Sequence, residues 1–127
     1  MAMAGFVEGG SRTFQVSAAL DEHRLVKLSS GKLAYAGLAD GAAVLGSTTK
    51  ETFAADEYVA VDLLNRPGTR ILTAAGAFAV GAVIYTAANG KVDDVSASAT
   101  RIGIALTASA ADNDFAEILV SPLSVSP

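Results

Sequence analysis

Hydrophobic and polar residues alternate in short runs along most of this chain. The clearest examples are the runs YVAVDL, which begins at Tyr58, and RIGIAL, which begins at Arg101. Runs of four to seven residues that are rich in β-branched and aromatic side chains, and bounded by Gly, Asn, Asp and Ser, are typical of β-strands. Because no segment sustains a three-to-four residue spacing over ten residues, the pattern predicts an all-β fold with at most a short helix.

A longer series of strand and turn segments occurs twice along the chain. The segment VLG at Val44 recurs in type as RIG at Arg101, AADEYVAVDLL at Ala54 recurs as AADNDFAEILV at Ala110, and SGKL matches NGKV. These three matches keep their order along the chain, which indicates a duplication. We therefore predict two tandem strand-and-turn repeats, at about residues 14–65 and 70–120.

Each repeat is predicted to contain four strands of its own. In the first repeat these are residues 25–28, 33–36, 43–48 and 58–64, and in the second they are residues 82–86, 91–95, 101–107 and 115–120. Together they predict one β domain over residues 14–120, either a small β-barrel or a β-sandwich. Chain order alone leaves both arrangements open.

Two turn signals punctuate this pattern. The pair Asn89-Gly90 predicts a type I′ hairpin turn, since both residues tolerate positive φ. The segment Arg66-Pro67-Gly68-Thr69 predicts a tight type II turn at the junction of the repeats. Residues 121–127, with two prolines and three serines, are expected to form a carboxy-terminal tail.

Residues 1–13 precede the duplication and are predicted to form an amino-terminal arm. The stretch GFVEGGSRTF places two aromatic residues, Phe6 and Phe14, among Gly and polar neighbours. It fits an arm that docks on a partner by strand addition equally well as the first strand of the fold.

Charge and composition narrow the classes of partner. The net charge is −4, with acidic and basic residues scattered singly, so the chain lacks the clustered Lys and Arg that nucleic acid requires. The absence of cysteine excludes disulfides and thiolate metal sites. The uncharged residues 71–90 are long enough to span a bilayer, but their Ala and Gly content and final turn signal favour strands, and no membrane partner is expected.

The usual catalytic and ligand-binding patterns are not matched. His23, the sole histidine, lies among charged residues and is interpreted as part of a solvated turn. The acidic residues around Asp93 and Asp112 do not have calcium-loop spacing. The Gly-Lys pairs at Gly31 and Gly90 lack the flanking residues of a phosphate-binding loop. We therefore expect no enzymatic activity, metal or cofactor.

One family resemblance emerges from the Gly and Ala spacing. It includes the opening FVEG at Phe6, a strand near residues 13–16, the series AGA, GAVIY, GKV and IGIA, and the final strand ILV at Ile118. In these features the chain resembles the small capsid decoration, or cement, proteins of tailed bacteriophages. The resemblance implies a β-rich, commonly trimeric structural protein that binds the major capsid protein on the outer surface of the expanded head.

The resemblance supplies no contact motif that transfers position by position. We expect the amino-terminal arm to take part in partner binding, through Phe6, Val7, Arg12 and Phe14. The alternatives are another phage structural element, such as a head fibre or a tail part, and a small-ligand-binding or enzymatic β domain with a cleft between the repeats.

Overall fold

The computed structural model describes residues 11–40, 43–64 and 68–120 and is essentially all-β, as predicted. Ten strands form two five-stranded antiparallel sheets. The first sheet contains β1 (Ser11–Gln15), β2 (Leu25–Ser29), β3 (Lys32–Tyr35), β4 (Gly46–Thr48) and β5 (Tyr58–Leu63). The second contains β6 (Thr69–Thr73), β7 (Val83–Thr86), β8 (Val92–Asp93), β9 (Arg101–Ala105) and β10 (Phe115–Val120).

The two sheets have the same topology. The strand order is β1-β5-β4-β2-β3 in the first and β6-β10-β9-β7-β8 in the second, so each strand corresponds to the one five places later. This correspondence confirms the predicted tandem repeats. All eight predicted strands are present, whereas the strand that opens each repeat, β1 or β6, was not among them. The exact domain and tail boundaries stay a prediction, and β1 crosses the expected boundary at residue 13.

Each sheet curls until its two edge strands meet. In the first sheet Val16, just after β1, forms an isolated parallel bridge with Leu33 of β3. In the second sheet Ala74, just after β6, forms the same bridge with Val92 of β8. Because these contacts are single bridges, neither sheet is closed by a continuous ladder. The two curled sheets pack against each other, with Leu25 and Ala36 of the first repeat in the core cluster of the second.

Alternation along the last strand of each repeat directs one face inward. Val59 and Val61 of β5 are buried in a first core cluster, while Tyr58 is exposed. Ala116 and Ile118 of β10 are buried in a second cluster in the same way. The period of two in the sequence thus specified which side chains enter each core.

The hairpin turn at Asn89-Gly90 is confirmed. Both residues have positive φ, 59° and 74°, and the Lys91 amide donates to the Ala88 carbonyl oxygen at 3.2 Å, which closes the turn between β7 and β8. The first repeat uses Ser30-Gly31 for the same purpose, with φ values of 53° and 82°. The predicted type II turn includes residues 66 and 67, which lie outside the described residues.

Close approach of β4 to β5 explains the glycine that ends the repeated VLG and RIG segments. A Cβ atom at Gly46 would lie 2.1 Å from the carbonyl oxygen of Asp62, across the strand pair. No side chain fits at that distance. Gly103 occupies the matching place in β9, opposite Val120 of β10, just as Gly46 lies opposite Leu63 of β5.

Candidate partner-binding surfaces

The described part of the predicted partner-binding arm lies on β1. Arg12 and Phe14 project to the same side of the strand, and the Arg12 guanidinium carbon lies 5.0 Å from the Phe14 ring centroid. Phe14 packs against the first core while Arg12 is exposed. The structure thus brings these two residues together, whereas Phe6 and Val7 lie outside the described residues.

β1 is an edge strand of the first sheet. It pairs along its whole length with β5 on one side, from Ser11 opposite Asp62 to Gln15 opposite Tyr58. On its other side, the pairing with β3 within the described residues is the single bridge between Val16 and Leu33. Of the two interpretations left open for this stretch, residues 11–15 therefore form the first strand of the fold. An edge strand still leaves backbone groups that can pair with another chain.

The repeated Gly-Lys segments have a structural role that the sequence did not reveal. Lys32 Nζ lies 2.5 Å from Asp56 Oδ1 in the first repeat, and Lys91 Nζ lies 2.8 Å from Asp112 Oδ1 in the second. Each pair joins the hairpin to the Ala-Ala-Asp turn before the last strand. Two of the three repeated sequence segments therefore contact each other in the same way in both repeats.

Asp40 holds together the segment that follows β3. Its Oδ2 accepts a hydrogen bond from the Gly37 amide at 2.8 Å and another from Lys27 Nζ at 3.0 Å. These two donors, with the backbone amide contributing most, lower the pKa of the Asp40 carboxyl from its ordinary value.

Contacts between the repeats converge on the segment before and within β2. The His23 carbonyl oxygen accepts from the Thr73 amide at 2.9 Å, and Arg24 Nη1 donates to the Asn89 carbonyl oxygen at 3.0 Å. The His23 ring packs edge-on against Phe115, with 4.9 Å between centroids. His23 does lie in a turn, with φ of 58°, but its side chain is only 28% exposed because it contacts the second repeat.

Two clefts flank this junction. One, of about 340 Å³, lies between the repeats and is lined by acidic and aromatic groups that include Glu22, Glu51 and Phe115. The other, of about 300 Å³, has Ser47 and Asp62 on one side and Thr69 on the other. Over the described ranges, no group of three or more His, Asp or Glu side chains is arranged to hold a metal ion.

The uncharged residues 71–90 form the end of β6, strand β7 and the hairpin turn. Across the part of the chain that the structure describes, no helix has the length and apolar character needed to cross a membrane.

Comparison with known proteins identifies the family of this chain. A family model described as phage cement protein matches residues 8–122. The chain belongs to the phage cement protein family. It is accordingly a structural protein of the phage head, located in the virion on the capsid. This confirms the resemblance and location expected from the sequence.

A solved structure has a similar fold. The crystal structure of the head fiber gp8.5 N base in bacteriophage phi29 superposes with a TM-score of 0.71 and 14% sequence identity, covering 92% of this chain and 98% of that one. Among curated proteins, no sequence match was found.

This cement-family chain exposes several large apolar side chains that sequence reasoning did not single out. Phe53 and Tyr58 are 76% and 65% exposed in the first repeat, and Val80 is 65% exposed in the second. Aromatic and aliphatic groups of this kind are common at protein–protein contacts. Period-two alternation indicates which residues leave the core, but it does not show which outward faces remain uncovered.

Proposed function

We propose that this protein binds the outer surface of the expanded phage head as a homotrimer and stabilises the shell by bridging copies of the major capsid protein. The observation that carries the proposal is the family match over residues 8–122, nearly the whole chain. The role is structural, with no catalysis, cofactor, nucleic acid or membrane. The scattered charges and net charge of −4 suit a protein partner better than a nucleic acid.

The physical basis of stabilisation is multivalency. A rigid oligomer that contacts several shell subunits converts modest single-site affinities into a strong overall attachment, because each further contact forms at high effective concentration. The protein then opposes separation of neighbouring subunits. Its two hydrophobic cores and paired strands provide the stiffness that such a clamp needs.

The shell contact is assigned to the amino-terminal region, with Phe6, Val7, Arg12 and Phe14 as its residues. Two observations support this assignment. β1 is an edge strand with backbone groups available for strand addition, and the exposed Arg12 lies over Phe14 at the same edge. Arg is among the residue types enriched at binding hot spots.

The test is co-sedimentation with expanded, undecorated shells from the phage that encodes the chain. Wild-type protein is expected to sediment with expanded shells and to raise the temperature at which they rupture. Arg12→Glu should weaken binding by about tenfold or more, as expected for a lost hot-spot contact. Lys50→Glu, an equal charge change at an exposed loop position, serves as the control. Absence of binding to any shell state would refute the proposed function.

A second candidate is the base of a head fibre. It is favoured by the fold shared with the head fiber gp8.5 N base of bacteriophage phi29. Electron microscopy of virions labelled on this protein separates the two roles. Label at the roots of projecting fibres supports the fibre base, whereas label across a fibreless shell surface supports decoration.

A further inference from the structure

The interface between the two repeats uses specific apolar positions of the first repeat. Leu25 of β2 and Ala36, just after β3, are 0% and 1% exposed and belong to the core cluster of the second repeat. They are adjacent, since the Ala36 amide donates to the Leu25 carbonyl oxygen at 3.0 Å. One face of the first sheet is therefore covered by the second repeat.

The matching positions of the second repeat are apolar but uncovered. Val83 faces Ile104 next to Gly103, as Leu25 faces Ser47 next to Gly46, so Val83 corresponds to Leu25. Val95 lies three residues after the Val92 bridge, as Ala36 lies three after the Leu33 bridge. These counterparts, Val83 and Val95, are 36% and 54% exposed. We call Val83 and Val95 the open face.

Three groups of the second repeat contact the first repeat at or near Leu25 and Ala36. The Gly90 amide donates to the Ala36 carbonyl oxygen at 2.9 Å. The Thr86 hydroxyl donates to the Leu38 carbonyl oxygen at 2.9 Å. Phe115 packs on the ring of His23, which lies two residues before Leu25.

The positions of the first repeat that correspond to Thr86, Gly90 and Phe115 are exposed. Leu28 pairs with Leu33 as Thr86 pairs with Val92, Gly31 ends the hairpin as Gly90 does, and Tyr58 begins β5 as Phe115 begins β10. Leu28 and Tyr58 are 46% and 65% exposed, and no atom lies within 4 Å of a Cβ built on Gly31. We call Leu28, Gly31 and Tyr58 the covering surface.

We propose that two copies of this chain associate head to tail, with the covering surface of one copy seated on the open face of the next. The arrangement places one copy on the next as the second repeat lies on the first within one molecule, with Leu28 making an apolar contact where Thr86 donates a hydrogen bond. Because the two surfaces differ, the interface is heterologous and generates a closed ring or an extended chain. A closed ring of three copies would be the homotrimer of the proposed function. The inference rests on the proposed function only for the number of copies, three.

Three variants test the contact by sedimentation equilibrium. Val83→Glu on the open face and Leu28→Glu on the covering surface should each raise the self-dissociation constant by about a hundredfold, because the interface would bury an unpaired carboxylate. Leu106→Glu is the matched control. Leu106 is 41% exposed on the second sheet, and its counterpart Thr49 stays exposed beside the internal interface.

Mixing the two damaged variants gives the decisive result. Val83→Glu retains its covering surface and Leu28→Glu retains its open face, so an equimolar mixture can form one intact contact. We expect 1:1 dimers from two variants that are each monomeric alone. Circular dichroism at low concentration verifies that each variant is folded. A monomeric wild-type protein, a Val83→Glu variant that associates like the control, or a mixture without dimers would overturn the proposal.

The outcome is separable from the proposed shell binding. Wild-type protein that binds expanded shells but remains monomeric in solution overturns the head-to-tail contact and the homotrimer, and leaves the binding to the shell intact. Head-to-tail oligomers that bind no shell overturn the cement role alone.

Discussion

The amide of Gly90 donates a 2.9 Å hydrogen bond to the carbonyl oxygen of Ala36, so the hairpin turn of the second repeat rests directly on the first. A Cβ at Gly90 would lie 2.5 Å from the Leu25 carbonyl oxygen. Gly90→Ala should therefore destabilise the protein by about 2–4 kcal/mol, from left-handed strain plus displacement of the repeat interface. Urea unfolding measures this difference.

Gly81→Ala is the matched control for this change. Gly81 also has positive φ, 88°, but nothing lies within 4 Å of its Cβ position. It should cost only the strain, about 1–2 kcal/mol. Equal losses for the two variants would mean that the close approach at Gly90 is not a stabilising contact between the repeats.

Leu25 and Val83 occupy corresponding places in the two repeats with opposite burial. Leu25→Ala should cost about 2–5 kcal/mol, because it opens a cavity in the core shared by the repeats. Val83→Ala should cost less than about 1 kcal/mol when measured at a concentration where the protein is monomeric. Similar losses at both sites would contradict the assignment of Leu25 to the inter-repeat core.

Gly46 tests the fit of β4 against β5. Gly46→Ala places a methyl group against the Asp62 carbonyl oxygen, which is backbone and cannot rotate away. We expect a loss of about 1–3 kcal/mol or more and a lower midpoint of thermal unfolding. A variant as stable as wild type would show that the two strands can separate at no cost.

Asp40 should make stability depend on acid pH. The Gly37 amide and Lys27 lower its pKa in the folded state below the ordinary value of 3.8, so the ionised form is favoured by folding. Its contribution is complete above about pH 3.8 and is lost as the pH falls through the lowered folded-state pKa. Urea unfolding of wild type and Asp40→Asn between pH 6 and about pH 2 measures the effect.

The stability difference between these two proteins should shrink toward low pH. Lys27→Met removes one of the two donors and should reduce, but not abolish, the pH dependence of that difference. A difference that stays constant down to the lowest pH would contradict the assigned cause.

Local signals account for the strands that were predicted correctly. The run at Tyr58 and its counterpart at Phe115 combine period-two alternation with β-branched residues, and the Asn89-Gly90 pair encodes positive φ without help from distant residues. The strand at Thr69–Thr73 was missed because Arg70 interrupts its apolar pattern. Arg70 is only 3% exposed, and its guanidinium donates to the Leu63 carbonyl oxygen of the first repeat.

The site was less predictable than the fold. Arg12 and Phe14 were chosen from sequence, and the structure brings them together, but their role in binding stays a prediction. Val83 and Val95 were not chosen, because an exposed valine and a buried one have the same local pattern. Only comparison of the two repeats in three dimensions shows that the positions buried at Leu25 and Ala36 remain open there.

The duplication, the all-β class, most strands and the hairpin turn follow from the amino-acid pattern alone. Internal repeats are visible when the chain is aligned with itself, and side-chain period and turn preferences are encoded within a few neighbouring residues. The strand order, the parallel bridges at Val16 and Ala74 and the insertion of Leu25 into the neighbouring core were decided by tertiary structure. These features depend on packing between segments distant along the chain. Which outer face is covered depends on the same long-range packing, and so no local pattern reveals it.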